Sequence, residues 1–154
     1  MQNSLQDILA QKKQKLTAEL PQWNNKKKEW IEKVNILFEL IHSWLKPFEK
    51  DDYLKITYID ISIAEELLGR YSTKKMSITF FNYEKIELVP VGLHIIGAKG
   101  RVDMKIGIRK IMIVGNIENS EWMFTEREGR GKPRTWEFNE DNFKEILTEF
   151  AEEF

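Results

Sequence analysis

The feature that narrows the fold most is a change of hydrophobic period near residue 50. Upstream, Trp30, Val34, Leu37, Ile41, Trp44 and Phe48 recur at alternating spacings of four and three, and Ile31, Phe38 and Leu45 add a second row seven residues apart. Such spacings place side chains on one face of an α-helix, because 3.6 residues complete a turn. From residue 52 the repeat falls to two, the period of a strand with one buried face. A helical pattern returns after residue 139. The chain is therefore read as α+β: two N-terminal helices, a curved antiparallel sheet or partial barrel of about seven strands, and a C-terminal capping helix. A single domain is expected over residues 1–154, divided into a helical region 1–48, a β region 52–138 and a final helix 139–154. A compact monomer of this mass, 18.3 kDa, exposes roughly 8,000 Å².

The first helical pattern is the weaker one. Ser4 and Asp7 stand in capping-box spacing, and Leu5, Ile8, Leu9, Leu16 and Leu20 form an apolar stripe broken by Lys12 and Lys13. Pro21 is expected to end or kink that helix, having no N–H to donate. Pro47 is expected to stop the second helix near Lys46, since the residue before proline avoids the helical region.

In the β region, Leu54, Ile56 and Tyr58 share one face, whereas Ile59, Ile61 and Ile63 share the other, so a bulge or strand boundary is expected near residues 58–60. Met76, Ile78 and Phe80, then Ile86, Leu88 and Pro90, then Val102, Met104 and Ile106 alternate cleanly. Residues 111–114 are apolar on both faces and read as a central strand. Trp122, Phe124 and Glu126 continue the alternation, with the glutamate interrupting the apolar face. Asn139 is a natural N-cap, with Glu140 and Asp141 well placed in the first turn and Phe143, Ile146, Leu147, Phe150 and Phe154 on the buried side. This order of elements resembles pleckstrin-homology-type topology in strand count and order, a likeness that concerns the fold alone.

Composition removes several chemistries. The chain has no Cys and only two His, His42 and His94, which excludes disulfides, thiolate chemistry and multi-histidine metal sites. Its longest apolar runs are four residues, far short of a membrane span, and no charged-then-apolar leader opens it. A cytoplasmic protein is expected, and the Lys-, Ile-, Asn- and Glu-rich composition suits a bacterial one. The net charge of −1 is unevenly distributed. Residues 1–33 carry +3, 34–96 carry −2, 97–136 carry +4 and 137–154 carry −6, by counting Lys and Arg against Asp and Glu. The acidic final helix is expected to lie beside a basic sheet and neutralise it.

No complete catalytic constellation emerges. Gly92, Gly97, Gly100 and nearby Lys99 are followed by an alternating strand, not a helix N-terminus, so a turn is a better reading than a phosphate loop. Asp103 and Lys105 lack the second carboxylate of a metal-and-lysine nuclease site. His94, between Leu93 and Ile95, is the one candidate base, with no partner in the adjacent sequence.

Three functional classes remain, in this order. The first is a non-catalytic interaction or accessory module that docks a protein partner, or a second copy, through its aromatic N-terminal helices, with Trp23, Trp30, Leu37 and Trp44 as contacts. The second is a nucleic-acid binder using Lys99, Arg101, Arg130, Lys132 and Arg134 on the 97–105 and 127–134 turns, with Trp136 available to stack on bases. The third is an enzyme with an unrecognised site. No cofactor is expected.

Overall fold

A computed structural model describes residues 4–65, 68–94, 99–116, 119 and 121–154; the side chains of residues 16, 19–22 and 94 lie outside the described set. Helix α1 (Leu5–Lys50) leads into seven strands, β1 (Leu54–Glu65), β2 (Gly69–Phe80), β3 (Lys85–His94), β4 (Lys99–Ile106), β5 (Arg109–Asn116), β6 (Trp122–Glu126) and β7 (Arg134–Glu137), and α2 (Glu140–Glu152) follows. The strands form one sheet in sequential order, every neighbouring pair antiparallel, with β1 and β7 at its open edges. The expected α+β class, antiparallel sheet and C-terminal helix are all present. No helix among the described residues is long and apolar enough to cross a membrane.

Both N-terminal helical patterns are helix, and they run on as one 46-residue span. Ser4 caps it, its hydroxyl accepting the Asp7 N–H at 3.2 Å. The backbone is helical at Pro21, whose side chain is outside the described set. Pro47 does not stop the helix at Lys46. Its missing N–H removes one bond, but its carbonyl still accepts from Asp51, and Phe48 O accepts from Tyr53. Glu49, in the last turn, is tied to both His42 and the Ile56 N–H. These contacts hold one further turn against the local penalty of proline.

The bulge expected near residues 58–60 is absent. β1 pairs with β2 in unbroken register from Leu54↔Phe80 to Glu65↔Gly69. The buried side chains nevertheless change parity along both strands, from Leu54 and Ile56 to Ile63 on β1, and from Met76, Ile78 and Phe80 to Tyr71 and Thr73 on β2. β3 pairs with β2 only over Met76–Thr79. Beyond that point β1 and β2 form a two-stranded ribbon, which twists more strongly than a wide sheet. The register shift of the sheet lies instead in β3, between Pro90 and Gly92.

Trp30, Val34, Leu37, Ile41 and Leu45 are buried under the sheet, with Met76, Ile86, Leu88, Met104 and Ile113 in the facing rows. Gly100 admits the Trp30 ring: a Cβ there would lie 2.0 Å from it. The Trp30 indole donates to the Tyr71 hydroxyl at 3.1 Å, Tyr71 donates to Glu65, and Glu65 accepts the Leu93 N–H at 2.8 Å. This chain of bonds joins helix, ribbon and β3 where ladder pairing between β2 and β3 has ended. At the other side, α2 is capped by Asn139, which accepts the Asn142 N–H at 2.8 Å, and buries Phe143, Ile146 and Leu147. Glu126, which interrupts an apolar face in sequence, is buried but doubly bonded by Arg109 at 2.6 and 2.9 Å. Arg109 also reaches Glu149 at 3.0 Å, the ion pair that joins the acidic α2 to the sheet.

Candidate docking surfaces

Of the four candidate partner-binding residues, Trp30 and Leu37 belong to the chain's own core. Trp44 is half-buried, its ring 5.4 Å from Phe138 and 5.8 Å from Phe143. Trp23 is half-buried as well, with Lys26 over its ring and its indole N–H buried without a partner. The seam of residues 30–48 is therefore largely covered by the sheet and α2. Ile36, Leu40 and Phe48 stay exposed on its flank, and a further uncovered stretch lies upstream. Leu5, Ile8 and Leu9 are all exposed, Leu5 at 71%. At 1.5 Å per residue, Leu5 stands about 37 Å along the helix from Trp30.

The candidate nucleic-acid contacts do not form one surface. By strand register, Arg101 lies in the row Arg101↔Val114↔Met123↔Glu137, on the outer face of the sheet. Arg101 is held by Asp103, with bonds of 2.7 and 3.0 Å that raise the guanidinium's affinity for its proton. Trp136 instead pairs with inward-facing Phe124, the two rings stacked at 5.2 Å, and Arg134 lies over the Trp136 ring at 4.2 Å. Lys99 is exposed at the start of β4, three strands from β7 and about 14 Å away across the sheet. Arg130 and Lys132 are exposed in the turn before β7.

His94 has its backbone in β3 and its side chain outside the described set. The histidine that the structure does place in a polar network is His42. Its Nδ1 is 2.8 Å from the Tyr58 hydroxyl and its Nε2 is 3.0 Å from Glu49. A carboxylate only accepts, so in the neutral imidazole Nε2–H donates to Glu49 and Tyr58 donates to Nδ1. Burial, then Glu49 and Glu39, raise the Tyr58 pKa, so its phenol keeps its proton. The arrangement clamps α1 to β1. Beside it a cleft of about 480 Å³ opens between α1 and the twisted ribbon, with Glu39, Asp60 and Lys74 on its walls. No group of three or more His, Cys, Asp or Glu side chains among the described residues is placed to hold a metal.

Sequence reasoning missed a second uncovered apolar surface, at the end of the sheet where α1 stops. Tyr53, Phe81, Tyr83 and Phe154 are exposed there, Phe81 at 67% and Tyr83 at 86%. The Phe81 and Phe154 rings are 6.1 Å apart, and the Phe81 N–H bonds to Tyr53 O at 3.0 Å. The sequence signal was present: Phe80, Phe81 and Tyr83 put three aromatics within four residues at a hairpin tip. Tyr83 also holds φ at +70°, a region that bulky side chains rarely occupy. No family model, characterised protein or solved structure matches the chain.

Proposed function

We propose that the chain is an interaction module that docks through the N-terminal part of α1. The observation that carries this reading is the exposure of Leu5, Ile8 and Leu9 on a helix whose later turns bury one face, from Trp30 to Leu45, under the sheet. The same stripe continues through the helix. Leu9, Leu16, Trp23, Trp30, Leu37 and Trp44 stand seven residues apart, so one face of α1 is apolar from end to end in sequence. Its downstream half is covered by the sheet, while its upstream half meets no surface of the fold at Leu5, Ile8 or Leu9. A short helix extended into water is marginal by itself, and a partner covering that face stabilises it.

The test compares Leu5→Gln/Leu9→Gln with Trp30→Ala. Because Leu5 and Leu9 touch no core, the double variant is expected to melt within about 2–3 °C of the parent. It should also lose the complexes that the fluorescently labelled parent forms in cell extract, read as sedimentation rate. Trp30→Ala should instead lower stability throughout. Complexes that survive in the Leu5→Gln/Leu9→Gln variant would sink the proposal.

A further inference from the structure

We infer that the occupant of the exposed α1 face is a second copy of this chain, associated head to tail: the N-terminal part of α1 from one molecule lies over the aromatic end of the next. This rests on the reading above, and it adds the partner and the surface that the partner presents.

Three observations converge on that pairing. The first is the strain at Tyr83. The β2–β3 turn closes with the Phe80 N–H bonded to Glu84 O at 2.8 Å and the Tyr83 N–H bonded to Phe80 O at 2.9 Å. The position held by Tyr83 suits Gly or Asn, yet it carries a large ring left 86% exposed. Backbone strain that serves no packing in the free molecule points to a contact made elsewhere. With Tyr53, Phe81 and Phe154 it forms a patch on the order of 500 Å² of ring surface, the size at which monomers present interaction sites.

The second observation is charge. Residues 5–28 of α1 carry six Lys against Asp7 and Glu19, and residues 137–154 carry seven acids against Lys144. Helix α2 and the two residues after it supply Phe150 and Phe154 to the ring cluster, their rings 5.3 Å apart, and leave Glu145, Glu149, Glu152 and Glu153 exposed beside it. A basic amphipathic helix laid along α2 meets opposite charge on its flank and rings under its leucines.

The third is placement and area. Trp30 packs where β4 begins, at Gly100, whereas Phe48 and Tyr53 stand beside the β2–β3 turn, so α1 crosses the sheet from one end to the other. The exposed leucines and the exposed rings lie at opposite ends of the molecule, and one chain cannot join its own two surfaces. The accessible surface is 10651 Å², against about 8,100 Å² for a compact monomer of this mass. That excess belongs largely to the projecting first turns of α1, exposed on every side from Ser4 to Lys15. Two different surfaces in contact make a heterologous interface, which repeats until a ring closes or a chain of molecules grows.

The experiment is sedimentation velocity of the purified full chain over a concentration series, alone and with two variants at exposed positions, Leu9→Lys and Tyr83→Gly. Circular dichroism and melting confirm that each variant is folded, and Tyr83→Asn serves as a second variant at the turn. The parent chain is expected to grow beyond dimer with concentration and to lose affinity several-fold at high salt. Each variant alone should associate at least tenfold more weakly. Their mixture should form a one-to-one pair that grows no further, because one molecule keeps an intact helix and the other an intact aromatic end. Assembly of Tyr83→Gly to the parent's extent would mean helix pairs with helix and would overturn the inference. A mixture that stays monomeric would overturn it too. A purified parent that is monomeric at hundreds of micromolar, while Leu5→Gln/Leu9→Gln still abolishes complexes in extract, removes the second copy as partner and leaves the docking reading standing.

Discussion

Two glycines set how closely tryptophan rings approach the sheet. A Cβ at Gly100 would fall 2.0 Å from the Trp30 ring, and one at Gly115 would fall 2.6 Å from Trp122. Trp30 cannot yield, since it is fully buried and its indole is bonded to Tyr71. Gly100→Ala is therefore expected to cost about 2–3 kcal/mol, as overpacked cores do. The melting temperature should drop by roughly 5–10 °C; an unchanged melting curve would show that the ring has room to move. Tyr83 makes the opposite prediction. Tyr83→Gly relieves a left-handed backbone whose penalty is about 1–2 kcal/mol, offset by about 0.5–1 kcal/mol of extra chain entropy in the unfolded state. A net gain of about 0.5–1 kcal/mol in urea unfolding is expected, and a loss would mean that the ring supports the fold. Neither role is legible in sequence. Residues 97–100 read as a turn there, whereas Gly100 lies within β4, and what makes it indispensable is a ring seventy residues upstream.

At the scale of elements, α1 shows what periodicity conveys and where it stops. The spacing from Trp30 to Leu45 predicts the buried face, because a helix has one geometry and its apolar stripe must be covered, whereas Phe48 at its end is exposed. The prolines mislead: the backbone is helical through Pro21, and at Pro47 other contacts offset the missing hydrogen bond. At Pro47 the replacement is the clamp of Glu49 on His42 and Ile56. That clamp has a pH signature. The His42 hydrogen bond above all, aided by the Ile56 N–H and the charges of His42 and Lys46, outweighs desolvation and lowers the Glu49 pKa. A carboxylate with a lowered folded pKa contributes stability above its unfolded value, near 4.3, and loses it as pH falls through the folded value. Glu87, lowered mainly by its bond to Lys75, acts in the same direction. Glu49→Gln should therefore flatten the loss of stability on acidification below about pH 4.3, read as urea midpoints between pH 3 and 7. Equal slopes for parent and variant would show the clamp to be energetically silent. The parity change in β1 was likewise visible in the spacing of Tyr58 and Ile59, but its cause was not. A bulge and a twisted ribbon leave the same mark in sequence, and only the early end of β2–β3 pairing separates them.

For the molecule as a whole, amphipathicity says that a face will be covered without saying by what. The stripe of Leu5, Ile8, Leu9, Leu16 and Leu20 and the stripe of residues 30–48 look alike in sequence, yet the second is covered by the sheet while Leu5, Ile8 and Leu9 are exposed. Every described side chain from Ser4 to Lys15 is exposed, so that segment contributes surface and almost no core. Deleting residues 1–15 should consequently leave the domain folded, with Trp30 fluorescence and far-ultraviolet signature per residue retained and the melting temperature within about 3 °C of the parent, a shift that corresponds to about 1 kcal/mol in a chain of this size. Hydrogen exchange of the intact chain at high dilution should show the matching gradient. Amides in the first turns are expected to exchange through local opening, and those between Trp30 and Leu45 only through global unfolding. As concentration rises, protection should appear in the first turns and at the β2–β3 turn together, because one contact orders both. A deletion that lowers the melting temperature by 10 °C or more would place the first turns against the domain itself. The aromatic end would then remain uncovered with no helix of this chain to fill it.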